Sequence, residues 1–129
     1  MTTIIRGLIF VLGIFNCIIG LGFLLQPAKL AAAFFLSPIG TQGLATVRAD
    51  FTGFFIGASL FALYGAWKQR SNALLVPIAL LGIAFFGRCV SLALDGVAPT
   101  AFAPMVIEAV MMAVLLMGVT TFQAQRQPT

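Results

Sequence analysis

Val47-Arg48-Ala49-Asp50-Phe51-Thr52-Gly53 opens an apolar run that continues to Trp67, with a cation and an anion at its entrance. An ionised side chain inside hydrocarbon costs roughly 2.5–3.5 kcal/mol on insertion scales, so such residues tend to be paired, buried in protein and functional. Whether this run lies in hydrocarbon is decided by its surroundings. The chain is 61% hydrophobic and only 8% charged, with a mean hydropathy of +1.13, where a soluble domain carries about 25% charged residues. At about 20 apolar residues per span, the 129 residues hold four spans and their loops, with no room for a fifth. The expected fold is therefore all-α: a polytopic membrane protein, a single four-transmembrane-helix domain over residues 1–129, with spans at about 3–25, 44–67, 73–94 and 103–122.

The run Ile4 to Leu25 exceeds the 7–15 residues of a signal-peptide core, and no small-x-small cleavage pattern follows it, so it is expected to stay as the first helix. Within it Gly13, Asn16 and Gly20 share one face, which is expected to point inward, with Asn16 hydrogen-bonding between helices. Pro27 to Pro38 is too short to span. Pro27 reads as a helix start and Pro38 as a limit, giving a short interfacial helix between the first two spans with Lys29 reaching the headgroups. Gly40-Thr41-Gln42-Gly43 reads as a flexible turn. In the second span, Asp50, Gly53 and Gly57 share a face, and Gly53-x-x-x-Gly57 is a close-packing pattern of low specificity. Tyr64 and Trp67 suit an aromatic belt before the basic turn Lys68-Gln69-Arg70-Ser71-Asn72. Pro77 lies near the start of the third span, where proline is tolerated.

Charge orients the chain. Arg6, Lys68, Arg70 and Arg126 fall on one side of a four-span topology, and Lys29 and Arg48 on the other. The positive-inside rule then puts both termini in the cytoplasm. The formal charge of +4 follows from these scattered helix-end residues rather than from a basic face, so no nucleic-acid partner is expected. Cys17 and Cys89 sit in apolar runs and read as small buried hydrophobes, with a disulfide or redox role as the alternative.

This topology brings the remaining charges to one outer-leaflet layer. Arg48 and Asp50 begin the second span, Arg88, Ser91 and Asp95 form a strip along the end of the third, and Glu108 lies just inside the fourth. Arg48 and Asp50 are about 200° apart around the helix and cannot simply pair with each other. Arg88 suits a carboxylate from a neighbouring helix, Asp50 or Glu108. Arg48, Asp50, Arg88, Asp95 and Glu108 together carry a net charge of −1. One acid, Glu108 foremost, is then expected to carry a proton or to meet a cation or a ligand donor. The bland alternative is a charge network that only fixes helix register.

Arg48-Ala49-Asp50-Phe51-x-Gly53-x-Phe55-x-Gly57, with Gly87-Arg88, Asp95-Gly96 and Glu108, resembles the small four-helix bacterial membrane family catalogued as domain of unknown function 4345. The resemblance covers nearly the whole chain. It implies a single four-helix membrane domain in the bacterial inner membrane and supports the five-residue cluster as the distinctive site, but it supplies no activity.

Three function classes compete. An enzyme is not expected: the chain has no histidine, which removes His-based triads and the common zinc and haem sites. The methionines Met105, Met111, Met112 and Met117 read as packing residues, so no metal and no cofactor is expected. A proton- or ion-coupled small transporter or channel would use Glu108 and Asp50. A non-enzymatic scaffold or a lipid- or hydrophobic-ligand-binding protein fits best, because Phe51, Phe54, Phe55, Phe85 and Phe86 lie close to the charges along the chain. Membrane lipid and copies of itself or a larger membrane complex are the expected partners.

Overall fold

A computed structural model describes residues 1–125. Arg126 of the orientation count lies outside the described residues. Five helices follow in order: α1 (Thr2–Leu25), α2 (Pro27–Ala33), α3 (Gly40–Lys68), α4 (Ser71–Leu94) and α5 (Phe102–Ala124). All but α2 are long and apolar enough to cross a membrane. The four-helix membrane bundle with a short helix after its first span is thus the observed fold.

The boundaries follow local chemistry. Pro27 starts α2, where its missing N–H costs nothing. The helix stops at Ala33, short of Pro38, in a Schellman turn: Leu36 N–H donates to Ala31 O at 2.8 Å and Phe35 N–H to Ala32 O at 3.1 Å. Phe35 takes the left-handed position of that turn, with φ of 59°. The flexible turn expected at Gly40 to Gly43 is instead the first turn of α3. Gly43 N–H donates to Ile39 O at 3.0 Å, and a Cβ at Gly43 would lie 3.1 Å from the Pro38 carbonyl carbon. The amides of Gly40, Thr41 and Gln42, as the leading N–H groups of the helix, have no intrahelical acceptor. With 29 residues and about 1.5 Å of rise each, α3 is longer than a hydrocarbon core of about 30 Å. Because α4 already begins at Ser71, Pro77 lies beyond its first turn, inside the helix and buried.

The spans pack in the ring order α1, α3, α4, α5, which closes through contact of α5 with α1, while α2 lies against α1 and α3. Successive spans run in opposite directions, so the core of Ile5, Ile9, Leu12, Ala62, Ala66, Leu74, Leu81, Leu115 and Phe122 concentrates at the end that holds the N-terminus and the α3–α4 turn. There glycine permits close approach: a Cβ at Gly118 would lie 2.5 Å from Ile9. The expected inward face of α1 is observed. Gly13, Asn16 and Gly20 are all buried, and a Cβ at Gly20 would meet Ile56 of α3 at 2.8 Å. Gly53 and Gly57 do not play this part, since a Cβ at either meets nothing within 4 Å. The close-packing face of α3 is made by Ala58, Ala62, Gly65 and Ala66.

At the opposite end the helices sort differently. Phe23, Ala31 and Val47 form a separate cluster with Phe34, Phe51 and Phe55, tying α1, α2 and α3 together. Helices α4 and α5 contribute nothing to that cluster, and a space is left between the two groups.

Candidate functional site

The end of α4 brings Arg88 toward α5, and the second turn of α5 turns Glu108 inward. Arg88 Nε donates to Glu108 Oε1 at 2.9 Å, the one ion pair among the described residues. The Arg88 side chain is 40% exposed and that of Glu108 only 12%, so the acid is the buried partner. Glu108 Oε2 is buried with no hydrogen-bond partner. Asn16 on α1 repeats this pattern: its Nδ2 donates to Leu12 O at 2.9 Å, and its Oδ1 is buried without a partner. The carbonyl reached by Asn16 belongs to its own helix, not to a neighbouring one as the sequence suggested.

Both residues stand in the wall of a cavity of about 430 Å³ between the α1–α2–α3 group and the α4–α5 pair. Phe15, Phe34, Phe51, Phe54, Phe55, Leu81 and Met111 supply apolar lining, and Asp50, Arg88 and Glu108 are the charged residues of the wall. The phenylalanines are held by mutual packing: Phe23 stacks on Phe55 with centroids 5.8 Å apart and meets Phe34 edge-on at 5.1 Å. Phe85 and Phe86, grouped with them in the sequence, are not in this lining, and Phe86 is exposed on the outer surface.

The five charged residues of the expected cluster divide into separate arrangements. Arg88 and Glu108 pair. Asp50 lines the cavity, exposed, and forms no ion pair among the described residues. Arg48 turns to α1, where its Nε donates to Leu24 O at 3.1 Å and satisfies a carbonyl that the helix end leaves open. Asp95 accepts a hydrogen bond from Ser91 Oγ at 2.9 Å. These two, with Gly96, line a second, more open hollow that Arg88 also borders. Among the described residues no three His, Cys, Asp or Glu side chains gather to hold a metal. Cys17 and Cys89 are free thiols.

Three polar side chains had no sequence signal beyond residue type. Arg6 Nε donates to Ala66 O at 3.2 Å and Thr52 Oγ1 to Gly20 O at 3.3 Å, each crossing between α1 and α3. Ser59 is fully buried with an unpartnered hydroxyl.

Four membrane-length helices in a closed ring, with an ion pair set into an apolar cavity, define a multi-pass α-helical membrane protein. The chain belongs to the family described as domain of unknown function 4345, whose model matches residues 4–119. No curated protein matches the chain, and neither does any solved structure.

Proposed function

We propose that this protein is a non-enzymatic binder of a lipid or other hydrophobic ligand in the bacterial inner membrane, with both termini in the cytoplasm. The observation that supports it most is the cavity of about 430 Å³, apolar over most of its lining and carrying the Arg88–Glu108 pair. Ligand sites are commonly concave, largely apolar and fitted with a few polar groups that set orientation, at volumes of about 300–1,000 Å³. The pair favours binding over chemistry, because Arg88 engages the carboxylate that a reaction would need as a proton carrier.

Native mass spectrometry of the chain released from mild detergent tests the reading. A bound lipid retained by the wild type is the expected outcome, whereas a ligand-free oligomer would favour a scaffold. Coupled transport through Glu108 and Asp50 is a second reading, favoured by the unpartnered Glu108 Oε2. Drug-efflux assays test it, and unchanged transport by Glu108→Gln would eliminate its proton-coupled form.

A further inference from the structure

We infer that the cavity selects a ligand whose polar end is an ammonium, the cationic head of an otherwise apolar molecule. This rests on the ligand-binding reading above and specifies its chemistry. The charged lining residues are one arginine and two carboxylates, Arg88, Asp50 and Glu108, a net of −1. Only one of those carboxylates is matched: Arg88 pairs with Glu108, and Asp50 has no ion-pair partner among the described residues. Arg88 engages Glu108 through Nε alone and its side chain is 40% exposed; among the buried atoms of the wall, the hydrogen-bonding capacity left open is of one kind. Glu108 Oε2 and Asn16 Oδ1 are both acceptors, both buried and both without a donor.

A buried acceptor with no donor is costly, and a carboxylate without a counter-charge is more so in hydrocarbon. A ligand bringing N–H donors and a positive charge relieves both, whereas an alcohol relieves only the first and a carboxylate or phosphate relieves neither. Glu108 lines the cavity, and the terminal torsion of a glutamate is broad and two-fold, which lets its carboxylate turn toward a donor. The phenylalanine walls, Phe51, Phe54 and Phe55 among them, accept an alkyl or aromatic body and favour a cation near their faces.

The test uses the full chain in nonionic detergent with three probes of equal chain length: dodecylamine, dodecanol and dodecanoate. Native mass spectrometry or thermal stabilisation should show the amine bound at least tenfold more tightly than the alcohol, with the carboxylate weakest. Asp50→Asn should cut amine binding at least tenfold and leave the alcohol unchanged. Asp50 is exposed, so this variant folds even if Glu108→Gln does not. Equal binding of all three probes, or an amine preference untouched by Asp50→Asn, overturns the ammonium assignment and leaves the cavity a ligand site. Binding of none overturns both readings. Adding an ethanolamine lipid to nanodiscs separates the two sources of this chemistry: displacement of dodecylamine assigns the site to a lipid headgroup, and no displacement assigns it to a free amine.

Discussion

Arg88 gives Glu108 one hydrogen bond, and the acid is much the more deeply buried of the two. Loss of the arginine therefore leaves a buried carboxylate with neither oxygen satisfied, an arrangement that costs about 1–3 kcal/mol or more. Arg88→Ala is expected to lower stability by that amount in detergent unfolding followed by circular dichroism. Replacing both partners, as Arg88→Met with Glu108→Leu, should restore most of it, because an apolar pair asks for no compensation. That Arg88 would meet a carboxylate from another helix was legible in the sequence, since hydrocarbon leaves an ion few alternatives. Which acid it meets was not, because the rotation of α5 against α4 is set by packing along their whole length. Arg48 was harder still: its acceptor is the Leu24 carbonyl, a group that every residue carries and no residue type announces.

The spans themselves were legible to within a few residues, because the demand for about 20 apolar residues with satisfied amides leaves few solutions. Helix faces were legible only in part. On α1 the glycine face and Asn16 coincide, and the face turns inward. On α3 the same kind of pattern misled: Gly53 and Gly57 stand free of neighbours, while Ala58, Ala62 and Ala66, a small residue every fourth position, meet the core. Small residues are common in membrane helices, so spacing proposes several faces and the partner chooses one. The difference is measurable. Gly20→Leu places its side chain against Ile56 and the backbone beside it and should destabilise by about 1–3 kcal/mol through overpacking. Gly53→Ala should be neutral or gain up to about 1 kcal/mol from helix propensity. Parallel unfolding titrations of the two variants check the pair; equal losses would mean that the α1–α3 contact is not the tight one.

Across the whole molecule, the alternating spans put the N-terminus and the Lys68–Asn72 turn at one end and the Asp50, Arg88 and Glu108 cavity toward the other. The orientation proposed from the basic residues is open to cysteine labelling in a background lacking Cys17 and Cys89. A membrane-impermeant maleimide should label Val97→Cys on intact cells and Asn72→Cys only after permeabilisation; the reverse pattern would invert the topology. The two ends also differ in how they are held. Core residues from all four spans interlock near Ile9, Ala66, Leu74 and Phe122, whereas the cavity separates the helix groups at the far end. Backbone amides should record this as a gradient in deuterium uptake, because segments with few buried contacts open at lower free energy than the core. In detergent, amides of α4 around Arg88–Leu94 should exchange sooner than those around Leu74–Leu81, and a ligand seated in the cavity should slow the fast set while leaving the slow set unchanged.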